Sequence, residues 1–290
     1  MTTLARLRRI IGLLALAAVL SACSAIKLGY NNLDDLAYWW LDSYVEFSDE
    51  QAPRVRDDLA RLHLWHRTQE LPRFAEILHG VEELAPGDVT PGHTCAVFTQ
   101  VTERLHAAAK QAGPAMITFA MSLTPEQFQH LERKYARNND EYRKEWVRPT
   151  AAEVAGKRFK LFLERSESIY GSLDEPQRAV LRRQVEQSMF DGQRLLAERM
   201  RRQRDALQVL RKLATEPVSF SEAGSMLRGY FARVQEPPDP AERRYQQALV
   251  DEGCRNFAGL HNSTTPAQRQ VAVRRLRAYQ RDLGELAAQQ

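Results

Sequence analysis

Apolar residues recur at the spacing of an α-helix through most of this chain, and this pattern constrains the fold more than any other feature. Leu, Ala, Arg, Glu and Gln dominate, Val, Ile and Thr are sparse, and alternating strand patterns are missing. Phe128, Leu131 and Tyr135, for example, fall on one helical face. Because the connecting segments are short, the sequence predicts an all-α, antiparallel bundle of about eight to ten helices.

The helical pattern also predicts where individual helices begin and end. We expect an aromatic first helix over residues 33–47 and a second from Asp49 that Pro72 stops or kinks. Later helices are expected at 95–110 and, separately, at 114–121. The longest is expected to run without a break over residues 174–213, ending at Glu216-Pro217.

The amino terminus has the pattern of an export signal. Arg6, Arg8 and Arg9 precede an apolar stretch over residues 10–20, which spans about 16 Å as a helix and is too short for a hydrocarbon core of about 30 Å. The following Leu-Ser-Ala-Cys23 resembles the bacterial lipobox, in which the Cys is diacylated, the preceding peptide is removed and the new amino terminus is acylated. The alternative is an ordinary signal peptide followed by a coincidental Cys.

The lipobox resemblance implies a domain order and a compartment. Residues 1–22 are expected to be a cleaved signal peptide, 23–32 a lipidated tether, and 33–290 a helical periplasmic domain, divisible into halves 33–121 and 122–290. Several acyl chains hold a protein on a membrane far more firmly than one. Because Ser and not Asp follows Cys23, resemblance to enterobacterial lipoproteins implies the periplasmic side of the outer membrane, with the inner membrane as the alternative.

Charge is nearly balanced once the signal is removed. Residues 1–22 carry three Arg and no acid, so the net charge falls from +4 to +1 and gives no support to nucleic-acid binding. The distribution is uneven, since residues 31–58 are acidic whereas 177–212 carry ten Arg or Lys and four acids. One interpretation is two solvated helix faces. The other is a basic surface for anionic lipid, cell-wall polymer or an acidic protein. Its candidate contacts are Arg194, Arg201, Arg202 and Arg204.

Two cysteines remain after lipidation. In the oxidising periplasm, an isolated pair such as Cys95 and Cys254 favours a disulfide, with two unrelated buried thiols as the alternative. A bridge of this span contributes up to about 5 kcal/mol in the chain-entropy model.

Four tetrads open predicted helices and share one capping pattern. Each begins with a side chain that can accept from a backbone amide and ends with a Gln that can reach back to the cap residue. The tetrads are Ser48-Asp49-Glu50-Gln51, Thr124-Pro125-Glu126-Gln127, Asp174-Glu175-Pro176-Gln177 and Thr265-Pro266-Ala267-Gln268. Helix capping alone accounts for them.

Two of the tetrads follow a Leu, at Leu123 and Leu173, and then resemble the LTxxQ elements of the Spy and CpxP periplasmic chaperones. The first pentad matches in full, whereas Asp174 replaces Thr in the second. The resemblance covers residues 120–190 and implies a curved helical cradle with a basic, partly apolar face that holds unfolded clients without ATP. The basic segment 177–212 suits such a face.

A second resemblance lies nearer the amino terminus. In order, the chain carries Gly29-Tyr30-Asn31-Asn32, Tyr38-Trp39-Trp40-Leu41-Asp42-Ser43-Tyr44, Ser48-Asp49-Glu50-Gln51 and Leu64-Trp65-His66-Arg67-Thr68-Gln69-Glu70-Leu71-Pro72-Arg73. Together these segments resemble a family of proteobacterial lipoproteins of unknown function. The resemblance implies a compartment and a helical architecture, and it supplies no activity and no catalytic residue.

The aromatic block of the first helix has two interpretations. Trp39 and Trp40 suit a membrane-interface belt, since amphipathic rings favour the headgroup level. We favour the other interpretation, in which most of the block faces the core and Tyr44 and Phe47 pack on Trp65. Because adjacent Trp residues point about 100° apart on a helix, they cannot share one narrow seam.

His63, His66 and Glu70 have a spacing that fits a zinc site, but no third ligand from elsewhere can be identified. We favour a buried hydrogen-bond network in which Trp65, His66 and Arg67 face the acidic first helix. The sequence therefore predicts neither a metal nor a cofactor.

No Ser or Cys nucleophile with a recognisable setting and no glycine-rich phosphate loop occurs, so we expect a protein that binds and not an enzyme. We expect an envelope interaction or chaperone-like protein, whose partner is a protein or an envelope polymer. Its expected centre is Trp39, Trp40, Trp65, His66 and Arg67. The alternatives are an enzyme or accessory factor acting on cell wall or lipopolysaccharide, and a structural spacer.

Overall fold

The structure is a computed structural model that describes residues 27–289, and within that range the chain is all-α, as predicted. The helices are α1 (Leu33–Val45), α2 (Gln51–Trp65), α3 (Leu71–Leu84), α4 (Pro91–Ala120), α5 (Pro125–Trp146), α6 (Ala151–Tyr170), α7 (Glu175–Glu186), α8 (Gly192–Thr215), α9 (Phe220–Gln235), α10 (Pro240–Asn262) and α11 (Pro266–Ala288). From Leu33 to Gln289 the structure thus has eleven α-helices, slightly more than the expected number of about eight to ten, and residues 27–31 before them are also helical. The predicted signal peptide and Cys23 lie outside the described residues.

Helices from the two ends of the chain pack on each other. The most extensive pairings are α3 on α11 and α4 on α10, followed by α1 on α2 and α5 on α8. The first two pairings connect residues on either side of the border predicted at 121/122. Division of the chain into halves stays a prediction.

Pro72 interrupts the second predicted helix as expected. The five residues before α3, His66–Glu70, form a π-helical turn in which the Leu71 amide donates to the His66 carbonyl. Pro72 has no amide hydrogen to donate to Thr68, and a wider turn accommodates the missing bond. The turn therefore joins α2 and α3 into one continuous helical segment.

Pro114 does not separate two helices, so that prediction is wrong. It lies inside α4, the 30-residue helix Pro91–Ala120. The residue before a proline normally avoids helical geometry because its Cβ meets the proline ring, but Gly113 has no Cβ.

The expected continuous helix over residues 174–213 is also wrong, because residues 187–191 separate α7 from α8. A Cβ on Gly192 would lie 2.3 Å from the Trp146 carbonyl oxygen, so α8 begins where only glycine fits against the end of α5. Asp191 caps α8 by accepting from the Arg194 amide at 3.0 Å. The tetrads and the Asp191-Gly192 pair thus act alike, each marking a helix start.

The four capping tetrads form as predicted. In each, the Gln side-chain oxygen accepts from the backbone amide of the cap residue, at 3.1 Å for Ser48, 3.0 Å for Thr124, 3.0 Å for Asp174 and 2.9 Å for Thr265. The cap side chain in turn accepts from the Gln amide at 2.9–3.3 Å. Both ends of the box are therefore satisfied, as capping boxes require.

The tetrads also pair with one another, which the sequence did not indicate. Gln51 and Gln127 each donate to the other's side-chain oxygen, at 3.2 and 2.6 Å, and this pair is called the first joint. Gln177 and Gln268 do the same at 2.7 and 2.9 Å, and form the second joint.

Each Gln also donates to the backbone carbonyl two residues before its partner's cap. The acceptors are Ser122 and Glu46 in the first joint and Ser263 and Ser172 in the second, at 2.9–3.1 Å. The two joints therefore have the same hydrogen-bond pattern, and each holds two helix starts together.

Candidate functional site

The candidate site is an apolar cavity of about 440 Å³ that is open on one side and lined by α3, α4, α6, α10, α11 and the connection between α3 and α4. Its lining is almost entirely carbon. The walls are formed by Leu78, Val81, Leu84, Ala85, Val89, His93, Thr94, Val97, Phe98, Ile169, Tyr170, Phe257, His261, Ala272, Arg275, Leu276 and Tyr279. Cavities of this size and composition are typical of sites that take small apolar ligands.

Two polar side chains in the cavity wall, Tyr170 and His261, are bonded to each other. His261 Nε2 donates to the Gly87 carbonyl at 2.8 Å, so Nδ1 accepts from the Tyr170 hydroxyl at 2.9 Å. Burial lowers the pKa of His261 and raises that of Tyr170 to about 12, so both side chains are neutral near pH 7. The two rings therefore present carbon to the cavity.

A disulfide fastens two walls of the cavity. Cys95 in α4 and Cys254 in α10 are bonded, with Cα atoms 5.4 Å apart, and the predicted bridge is confirmed. Phe98 and Phe257 each follow one of these cysteines by three residues, so both rings lie about one helical turn away and line the cavity. The bridge thus fixes the spacing of the two helices that carry the aromatic rim.

The aromatic rim is open to solvent. Phe98, Phe257 and Tyr279 line the cavity and are also exposed large hydrophobic residues. Arg275 at the wall donates to the Glu167 carbonyl at 3.1 Å, so its charged group is engaged outside the cavity. A guest that enters the cavity therefore passes aromatic rings and not a charged group.

The structure divides the five residues expected to form one centre into two groups. Trp39 and Trp40 are 62% and 60% exposed on α1, so the expectation of a core position holds for Tyr38 but not for these two rings. The expected packing of Tyr44 and Phe47 on Trp65 is wrong. The ring of Tyr44 contacts that of Tyr135, and the ring of Phe47 contacts that of Phe119. Packing in the core therefore does not account for the two exposed rings, Trp39 and Trp40.

The other group lies at the π-helical turn. His66 Nδ1 and the Tyr30 hydroxyl are 2.8 Å apart, while Arg67 donates to Asn31 Oδ1 at 2.9 Å and to the Leu286 carbonyl at 3.3 Å. Burial lowers the pKa of His66. These bonds tie the segment before α1 to the π-helical turn, and the turn to α11; Trp65 is half-buried at the end of α2.

The predicted basic surface is largely neutralised by the protein itself. Arg194 pairs with Glu242 at 2.8 Å, and Arg201 and Arg202 each pair with Glu198 at 2.7 Å. Burial opposes ionisation of Glu198, but the two arginines lower its pKa overall. Of the four candidates, Arg204 is exposed. A contact role for these residues stays a prediction.

Residues 27–289 contain no group of three or more His, Cys, Asp or Glu placed to hold a metal ion. His63 Nδ1 is 3.4 Å from Asp34, and Glu70 is only 3% exposed with Arg104 3.8 Å away. In the same range, no helix is both long and apolar enough to cross a bilayer.

Sequence reasoning missed the cavity residues, although one signal for them was present. Cys95 and Phe98 have the same spacing as Cys254 and Phe257, which brings two rings near any bridge between the cysteines. The pairing of Tyr170 with His261 had no such signal, because it depends on how α6 meets α10.

The fold and site define an all-α bundle with an apolar, disulfide-fastened cavity. A family model described as a family of unknown function (DUF6279) matches residues 43–223. The match covers more than half of the chain, which therefore belongs to this family. No curated protein and no solved structure matches it.

Proposed function

We propose that this protein is a lipid-anchored envelope protein of the periplasm that works by binding, and that its cavity takes an apolar guest. The observation that carries the proposal is the carbon-lined cavity with an aromatic, solvent-open rim. An unfilled apolar space costs stability, because the lining atoms lose contacts on one side. Two of the helices that form the walls of this space are bonded by a disulfide, which supports a preformed binding site.

The guest that fits is hydrocarbon: an acyl chain, or an apolar side chain of an unfolded envelope protein. The polar atoms of Tyr170 and His261 are already bonded to each other and to the Gly87 carbonyl, so these two side chains offer a guest carbon and no hydrogen-bond partner. A site that binds a hydrocarbon group whatever the amino-acid sequence of its guest suits a chaperone-like or envelope-assembly role. The export signal and lipobox resemblance support placing that role at the periplasmic side of the outer membrane.

Ala272 allows a direct test. It is 2% exposed in the cavity wall, and Leu at this position adds carbon to the cavity itself. We expect Ala272→Leu to lower the affinity for the fluorescent probe N-phenyl-1-naphthylamine at least about tenfold, since the added atoms occupy the guest's space. The body from residue 24 onward, produced without its signal and so without lipid, is titrated with the probe.

Ala267→Leu is the matched control, because Ala267 is exposed on the same helix and does not line the cavity. It should bind the probe like the original protein. Equal probe affinity in Ala272→Leu and Ala267→Leu would remove the cavity from the proposal.

A second experiment separates the chaperone-like role from binding of one dedicated partner. The same lipid-free body is added to an unfolded client protein, and aggregation is followed by light scattering. The chaperone-like role predicts suppression by the original protein and weaker suppression by Ala272→Leu. Probe binding without suppression of any client would leave the dedicated-partner role.

A further inference from the structure

We infer that the outer face of α1 is a second membrane contact, which lies in the headgroup region of the bilayer that holds the lipid anchor. The face consists of Leu33, Leu36, Trp39 and Trp40, all exposed. At about 100° per residue these side chains cover an arc of about 120° on the helix. Trp favours the interface because its ring is apolar and its N–H needs a polar partner.

α1 carries apolar side chains on two opposite sides. A helix that only packs on a core needs them on one side. Tyr38 and Val45 on the opposite side are buried. A solvent-exposed apolar patch on one helix face marks a contact with a protein or a membrane. The position of this patch next to the anchor favours the membrane.

The chain before α1 leaves little room for separation from the bilayer. Lys27 lies 3.0 Å from Asp282 and also pairs with Glu285, so the start of the described chain is held against α11. Three residues lie between Cys23 and Lys27, so their Cα atoms are four chain steps apart and can be separated by at most about 14 Å. Acyl groups on Cys23 therefore hold the start of α1 close to the membrane surface.

The three acids of α1 are engaged within the protein. Asp34 lies 3.4 Å from His63, and Asp35 pairs with Arg56 at 3.1 Å, so both are directed toward α2. Asp42 accepts from the Phe47 backbone amide at 2.8 Å.

The four residues of the face carry no charge. Arg56 of α2 lies 5.4 Å from the centroid of the Trp39 ring at the edge of the face, and its charge is paired with Asp35. The contact is therefore apolar, and zwitterionic phosphatidylcholine without anionic lipid is sufficient for it.

The test uses the mature, lipidated protein in phosphatidylcholine vesicles, with and without bromine on the lipid acyl chains. Bromine quenches Trp emission at short range. One variant, Trp65→Phe/Trp146→Phe, keeps only the two Trp residues of the face; the other, Trp39→Phe/Trp40→Phe, keeps only the two half-buried ones. Brominated lipid should quench the first variant at least about twofold more strongly than the second.

Equal quenching of the two variants, or no quenching of the first, would overturn the inference. Near-ultraviolet circular dichroism checks that both variants are folded. Trp39→Ser/Trp40→Ser gives an independent measurement. Binding to vesicles should protect the backbone amides of α1 from hydrogen exchange, and this variant should show less of that protection. Unchanged protection would also count against the face.

The inference rests on the lipid anchor of the proposed function, and labelling with a fatty-acid probe separates the two. A labelled protein whose Trp39 and Trp40 are not quenched retains its anchor and loses only the face. A protein that takes up no label loses both the anchor and this inference, whereas the cavity experiments are unaffected.

Discussion

The two joints share one hydrogen-bond pattern but are surrounded by different cores. Seven residues after each cap lies a buried residue: Val55 and Leu131 in the first joint, Leu181 and Ala272 in the second. In the first, Phe128 and Leu131 pack with Phe47 and Phe119. In the second, the smallest of the four side chains, Ala272, lines the cavity.

The residues four positions before each cap also differ. They are Tyr44 and Ala120 in the first joint and Tyr170 and His261 in the second. Tyr170 and His261 bond to each other and so present carbon to the cavity. Both joints have the same hydrogen bonds, but the cavity lies beside the second. The comparison therefore teaches that the cavity depends on the side chains around a joint and not on the joint itself.

The largest effect is expected from removing the disulfide beside the second joint. Cys95→Ser/Cys254→Ser should lower the free energy of unfolding by about 5 kcal/mol, because the unfolded chain regains the entropy of a long loop. Urea unfolding measures the loss, and reduction of the original protein is the control. Probe affinity should fall as well, since α4 and α10 are no longer fastened. Unchanged stability and affinity would show that the bridge does not support the cavity.

A new void in the first joint should cost less. Leu131→Ala deletes buried carbon from a packed cluster and should lower the free energy of unfolding by about 2–5 kcal/mol. Urea unfolding is again the measurement, and the result is compared with Ala272→Leu, which makes the reverse change. An unchanged free energy of unfolding in Leu131→Ala would show that the side chains around the first joint are not tightly packed.

Acid should weaken the second joint through His261. Its pKa is lowered in the folded protein by burial, so the unfolded chain binds a proton more readily as the pH falls below the ordinary value of 6.5. Stability contributed by neutral His261 is fully present above that pH and is lost below it, by at most about 1.4 kcal/mol per pH unit.

His261→Gln retains a donor and an acceptor but does not titrate, so its loss of stability between pH 7 and 5 should be smaller than that of the original protein. His63 and His66 also have lowered pKa values and remain in both proteins, which makes the difference specific to His261. Identical pH profiles of the two proteins would contradict the assignment.

The smallest change in stability is expected far from both joints. Trp39→Ser/Trp40→Ser removes two exposed rings, and surface changes of this kind usually alter the free energy of unfolding by less than about 0.5 kcal/mol. Urea unfolding without vesicles measures it. A loss of several kcal/mol would mean that the rings support the core and are not kept for contact with a membrane.

Much of the fold was predictable because local signals determined it. The four capping tetrads, the interruption before Pro72 and the disulfide all follow from residue type and spacing. The two wrong helix boundaries also have local causes in the sequence. Gly113 allows Pro114 inside a helix, and Asp191-Gly192 is itself a capping signal inside an apolar stripe.

The site was less predictable, because it depends on which helices meet. A periodic pattern shows that Tyr170 and Ala272 face inward, but not that space is left between them. The sequence also shows a basic stretch over residues 177–212 without showing that Glu198 and Glu242 neutralise part of it. Pairing between distant residues is the information that a single sequence lacks.

The central claim, that the cavity lined by α3, α4, α6, α10 and α11 is a site for hydrocarbon, is tested most directly by anomalous diffraction from crystals grown with 1-bromododecane. We predict a bromine or ordered chain within the walls formed by Phe257, Ala272 and Leu276, and its loss in Ala272→Leu crystals. Well-ordered crystals in which this cavity contains no hydrocarbon, while bromine is found elsewhere on the protein, would contradict the account.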